Sequence, residues 1–206
     1  MRPESQNEGL NVLRAACAIS VFLHHCHLFP GGWVAVDVFF VISGFLITRS
    51  IEGRPSGSAR ERLFGFYGRR VRRILPPIYL YLGLIAPLVV VFHPELTSGW
   101  LASATFTYNL LFICNGAAPS PLLFHTWSLA VEEQFYLTLP IVIRRLNDRG
   151  LCWFVCVGLG FAPVLRALIQ RFKFFSAVGS YVLLPAAVDD LAIGVLVMLL
   201  LRHRTA

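Results

Sequence analysis

The sequence predicts an all-α fold: a polytopic bundle of about six transmembrane helices, with one further re-entrant or interfacial segment. Two properties set this expectation. Of 206 residues, 56% are hydrophobic and only 14% charged, with a mean hydropathy of +0.67, a balance outside the range of ordinary soluble domains. Six apolar runs also approach the roughly 20 residues that a helix needs to cross a bilayer. They lie at residues 10–29, 33–51, 74–92, 126–143, 151–169 and 181–201. The net charge of +7 comes from arginines beside these runs. Positive-inside bias accounts for it, and no nucleic-acid partner is implied.

The first run carries Arg14 and His25. Eleven residues at about 100° each make about three turns, so the two share one helix face about 16 Å apart. A guanidinium in mid-span costs at least ~2.5–3.5 kcal/mol, so it is expected to face protein or a wet cavity and to mark a functional path. His24 turns about 100° away, and His27 lies near the far end. The run is too long for a signal peptide and has no small-residue cleavage site, so it is expected to stay in the mature protein. The second run opens on Asp37 and holds Ser43-Gly44 in its middle, which allows the close approach of a neighbouring helix.

Residues 49–73 contain eight arginines, Arg49, Arg54, Arg60, Arg62, Arg69, Arg70, Arg72 and Arg73, against Glu52 and Glu61. This excess places the segment, and with it the N-terminus, in the cytoplasm. Pro55 to Ser58 break it early, after which Phe64, Phe66 and Tyr67 alternate with arginine as in a helix on the inner leaflet. Arg69, Arg70, Arg72 and Arg73 have the density to grip phosphates, so a phosphorylated cytoplasmic cofactor would fit there; contact with lipid headgroups is the plainer reading. The stretch 100–114 is shorter and dotted with Thr, Ser and Asn. If it does not cross, Arg144, Arg145, Arg149, Arg202 and Arg204 fall on the cytoplasmic side, and Arg166, Arg171 and Lys173 are left outside as the exception. Such a segment is expected to line a cavity.

The fourth run begins with His125, Ser128, Glu132 and Glu133, of which His125, Ser128 and Glu132 fall along one helix face. Asp189-Asp190 begin the apolar half of the sixth. A histidine oriented by a carboxylate is the usual general base, and His25 with Glu132, Glu133 or Asp37 would make such a pair. The same groups could instead neutralise one another as packing ion pairs, or serve a proton-coupled transporter or flippase. The five cysteines, Cys17, Cys26, Cys114, Cys152 and Cys156, form no CxxC pair, so neither a disulfide nor a metal site is expected.

Several blocks together resemble the acyltransferase-3 family of polytopic inner-membrane acyltransferases: Leu13-Arg14-Ala15 with the spacing to His25; Val36-Asp37-Val38-Phe39-Phe40 through Ser43-Gly44-Phe45; the arginine-rich run Phe66 to Pro76; and His125-Thr126-Trp127-Ser128-Leu129 through Glu132, Phe135 and Tyr136. Asp189-Asp190-Leu191-Ala192-Ile193-Gly194 is similar to a weaker, later motif. The resemblance implies transfer of an acyl group, commonly acetyl, from cytoplasmic acyl-CoA to a hydroxyl of a sugar or cell-envelope glycan across the bacterial inner membrane. Arg14 and His25 carry over as the catalytic signature, and Arg69, Arg70, Arg72 and Arg73 as CoA phosphate contacts. Glu132, Glu133 and Asp37 carry over as further catalytic candidates; acyl-CoA is a donor substrate and no permanent cofactor is implied. Residues 1–206 read as a single domain, and since family members are longer, the resemblance implies absent C-terminal helices: a fragment, an inactive remnant, or a half that needs a partner chain.

Overall fold

The computed structural model describes residues 3–52, 59–115, 120–175 and 180–205. The described residues fold into eight α-helices joined by short 3₁₀ and π turns, with no strand among them: α1 Pro3–His25, α2 Val34–Glu52, α3 Ala59–Pro87, α4 Thr97–Ala104, α5 Tyr108–Asn115, α6 Thr126–Arg145, α7 Asp148–Phe172 and α8 Val188–Thr205. The break expected at Pro55 to Ser58 lies outside the described residues.

Among the described residues, four segments are long and apolar enough to cross a membrane: Pro30–Ile51, Leu63–Phe92, Asp148–Phe172 and Leu184–Arg202. The other two expected spans, α1 and α6, have the length, at 23 and 20 residues. They differ in carrying Arg14, His24 and His25, or Glu132, Glu133 and Gln134. Helices α1 and α6, which carry Arg14, His25 and Glu132, are thus the two of the six that fall short in apolar character.

Residues 100–114 break into two eight-residue helices, α4 and α5. At about 1.5 Å per residue neither can span a bilayer alone. Their polar side chains are used inward. Buried Asn109 donates to Gln134 Oε1 (3.2 Å) and to the Val182 carbonyl (3.1 Å), while Gln134 Nε2 donates to Asn109 Oδ1 (3.0 Å) and to the Phe106 carbonyl (3.1 Å). Ser103 and Thr126 pair at 2.8 Å. The segment was expected to line a cavity, yet none of the cavities described below includes it. Packing against protein meets the same need for satisfied backbone.

Three helices end in Schellman motifs with a side-chain-bearing residue in the left-handed region: His27 (φ 61°) after α1, Phe106 (φ 54°) after α4 and Lys173 (φ 53°) after α7. After α1, Leu28 N–H reaches the Leu23 carbonyl (2.9 Å) and His27 N–H the His24 carbonyl (2.9 Å). That stop sets His24, His25 and His27 together at one end of the bundle.

Contacts between helix ends give their directions. Arg69 donates to Ser50 at 3.3 Å and Arg202 pairs with Asp148 at 2.6 Å, while Trp33 packs against Tyr181 with ring centroids 6.4 Å apart. Helices α2, α6 and α8 therefore run one way and α1, α3 and α7 the other. Arg49, Arg60, Arg69, Arg144, Arg145, Arg149 and Arg202 all belong to one end, and His24, His25, His27, His93 and His125 with Asp37, Asp189 and Asp190 to the opposite end. Arg166, one of the three basic residues that break the arginine rule, is held by Asp189 in a bidentate pair (3.0 and 2.5 Å) and also donates to the Ala186 carbonyl. Its charge is met inside the bundle.

The close approach expected at Ser43-Gly44 is made by α8, through a reciprocal pair of glycines. A Cβ on Gly44 would run into the backbone of Leu191, and one on Gly194 into the backbone of Val41, Gly44 and Phe45. Around this crossing Phe40, Ile47, Val131, Phe135, Leu191 and Val195 form the main core. Gly44→Ala and Gly194→Ala are each expected to lower stability by at least ~1–3 kcal/mol, read as a lower unfolding temperature in detergent. Lys173→Gly, which relieves the left-handed strain, is expected to raise it by up to about 1 kcal/mol.

Candidate functional site

Two helix stripes and one side chain from a third helix line a cavity of about 360 Å³. From α3 come Arg70, Arg73, Ile74, Pro77, Ile78 and Tyr81, and from the start of α6 His125, Leu129, Glu132 and Tyr136. Both sets follow the spacing of a single helix face. Arg14 of α1 completes the lining. Arg70 lies over the Tyr136 ring, 4.0 Å from its centroid, and donates to the phenol oxygen at 2.8 Å. Glu132 Oε1 accepts from Ser43 of α2 at 2.8 Å and from Tyr136, and the Ser43 and Tyr136 hydroxyls lie 3.2 Å apart. Three guanidiniums against one carboxylate, itself taken by two hydroxyls, give the cavity a positive lining that suits an anion.

His25 does not line this cavity. It borders a second one of about 520 Å³ with His24, His27, Pro121, Phe124 and His125. His125 faces both cavities, and its ring meets Tyr81 edge-on at 5.2 Å. His24 Nδ1 lies 3.3 Å from the Phe29 carbonyl, while His25 makes no side-chain hydrogen bond among the described residues. Among those residues no group of three or more His, Cys, Asp or Glu is placed to hold a metal ion.

Asp37 stands apart again, in a third cavity of about 380 Å³ whose lining includes Trp33, Phe40, Trp127, Arg166, Tyr181 and Asp190. Glu133 has a buried Oε1 with no hydrogen-bond partner among the described residues. The arginine cluster divides: Arg70 and Arg73 face the first cavity, whereas Arg69 reaches Ser50 and Arg72 folds back to the Gly68 carbonyl at 3.1 Å.

The profile of the acyltransferase domain family that the sequence blocks resemble matches residues 7–201. The chain belongs to the acyltransferase-3 family. It is 33% identical over 169 residues to the peptidoglycan O-acetyltransferase OatA of Listeria monocytogenes, covering 74% of this chain and 27% of that protein. It is 35% identical over 153 residues to the O-acetyltransferase OatA of Staphylococcus aureus, covering 68% and 25%. The putative peptidoglycan O-acetyltransferase YrhL of Bacillus subtilis is 35% identical over 148 residues, 66% of this chain and 23% of the relative. The match thus spans about a quarter of each of these curated relatives. No solved structure matches.

Of the candidates that the family motifs supplied, the structure brings Arg14, Arg70, Arg73 and Glu132 to one cavity, sets His25 at the next, and leaves Asp37, Glu133, Arg69 and Arg72 outside both. Tyr136, Ser43 and Tyr81 were not singled out for the site from the sequence. Tyr136 could have been found, since it lies one turn beyond Glu132 on the stripe begun by His125. Tyr136→Phe removes the shared partner of Glu132, Arg70 and Ser43, and is expected to lower stability by about 1–3 kcal/mol in thermal unfolding of the detergent-solubilised protein.

Proposed function

We propose that this chain forms the membrane unit of an O-acyltransferase that moves an acyl group, acetyl in the first instance, from cytoplasmic acyl-CoA to a hydroxyl of a cell-envelope glycan. The observation that carries this reading is the pair of adjacent cavities joined at His125: one with Arg14, Arg70 and Arg73 on its wall, the other holding His25. The names of the relatives, peptidoglycan O-acetyltransferases among them, support the glycan as acceptor.

In this scheme the arginine end faces the cytoplasm, in keeping with positive-inside bias, and α1, α2, α3, α6, α7 and α8 cross a bacterial cytoplasmic membrane. Arg70 and Arg73 bind the donor's phosphates, and the exposed Arg69 and Arg72 add to the positive field there. Arg14 holds the donor further along the path, towards His125. His25 takes the proton of the acceptor hydroxyl as its oxygen attacks the thioester carbonyl; the carbon–sulfur bond then breaks, and the proton passes to the departing CoA thiolate. Glu132 keeps Tyr136, and through it Arg70, in place. Glu133 is a candidate to relay the proton, and Asp37 is taken up below.

His25→Ala is expected to abolish O-acetyl transfer to envelope glycan while acetyl-CoA binding persists, measured with radiolabelled acetyl-CoA and the protein in nanodiscs. Transfer retained by that variant would overturn the assignment. Arg70→Ala combined with Arg73→Ala is expected to weaken acetyl-CoA binding about tenfold or more, and unchanged binding would remove the donor from this cavity.

A further inference from the structure

The third cavity has a chemistry of its own. Its walls are aromatic, with Trp33 and Tyr181 packed edge-to-face at one side and Phe40 and Trp127 contributing the rest. Two carboxylates, Asp37 and Asp190, line it, together with Arg166. Arg166 is committed: both terminal nitrogens bond to Asp189, and one also bonds to the Ala186 carbonyl. Neither Asp37 nor Asp190 accepts a hydrogen bond from a side chain among the described residues, and neither is buried out of reach. Acceptors are thus presented between flat apolar faces, while Arg166 on the same wall gives its hydrogen bonds to Asp189 and Ala186.

A small apolar ligand would leave two intramembrane carboxylates without partners, and an anion would be repelled by them. A pyranose ring satisfies both demands, since its C–H face lies on an aromatic surface and its hydroxyls donate to carboxylate oxygens. The place is also suitable. The cavity opens among the start of α2, the start of α6 and the start of α8, at the end of the bundle that carries His25.

We propose that this cavity is the acceptor subsite, in which Trp33 and Tyr181 stack on a neutral sugar ring and Asp37 and Asp190 accept its hydroxyl protons. The inference rests on the O-acyltransferase reading for the word acceptor, and on the cavity alone for sugar binding.

The test uses the full chain in nanodiscs and a neutral β-1,4-linked N-acetylglucosamine tetramer. Titration of the tetramer should change the intrinsic tryptophan fluorescence, with Trp33→Phe removing much of the change. Asp37→Asn and Asp190→Asn should each weaken sugar binding about tenfold and leave acetyl-CoA affinity where it was. In a transfer assay the same variants should raise the KM for the tetramer by a similar factor. Asp189→Asn, which disturbs the Arg166 pair, identifies effects of misfolding through its unfolding temperature. Sugar binding without any acyl transfer would sink the enzymatic reading and keep the subsite; transfer with tetramer affinity unmoved in Asp37→Asn and Asp190→Asn would overturn the subsite and keep the enzyme. Absence of a fluorescence or KM response to the tetramer would also overturn it.

Discussion

The Glu132 carboxylate is the point on which the first cavity depends. A charged group at membrane depth is tolerated only when other groups replace its water, and Glu132 draws those groups from separate helices. Ser43 reaches it from α2, Tyr136 from its own helix one turn away, and Tyr136 in turn takes Arg70 from α3. The need to satisfy one carboxylate therefore fixes the relative positions of three helices. A stripe of arginines that repel one another can then stand on the wall of an open cavity. Removing any member leaves the rest short of a partner in a medium that supplies none, which is why such networks hold together as units.

The bundle also separates its charge along its length. Arginines gather where α2, α6 and α8 end and α3 and α7 begin; His24, His25, His27, His93 and His125 with Asp37, Asp189 and Asp190 gather at the other end. Of the basic side chains at that end, Arg166 is bound by Asp189. A molecule with a phosphorylated end would be drawn to the first region, and a neutral, hydroxyl-rich one would meet no competing anion site in the second. Arg14 lies between, on α1, about 16 Å along the helix from His25.

Much of this could be read from the chain. The lengths of the apolar runs, the small-residue contact at Gly44 and the common face of His125 and Glu132 all follow from local spacing. Other features could not, because they depend on which neighbour a face meets. The arginine cluster looked uniform in sequence, yet residues 70 and 73 share a face while 69 and 72 turn from it, a division that matters only once α6 is known to lie on one side. Asp37 sat in a motif block beside Ser43, but six residues along a helix carry it more than a turn and a half away, into a different cavity. The polar residues of α4 and α5 suggested a wet lining; their partners proved to be Gln134 and Thr126, side chains far off in sequence.

The first turn of α6 ties these cavities together. His125 and Trp127 are two residues apart, about 200° around the helix axis, so one turn presents them to opposite sides. His125 faces the arginine-lined cavity and the histidine cavity, and Trp127 faces the cavity of Asp37 and Asp190. The same turn is anchored by Thr126, whose hydroxyl bonds to Ser103 and to the Leu123 carbonyl. A single helix, about 10 Å across, thus stands between the two sides. The His-Thr-Trp run thus acquires a physical meaning, in which the middle residue fixes the turn and its two neighbours face the two sides.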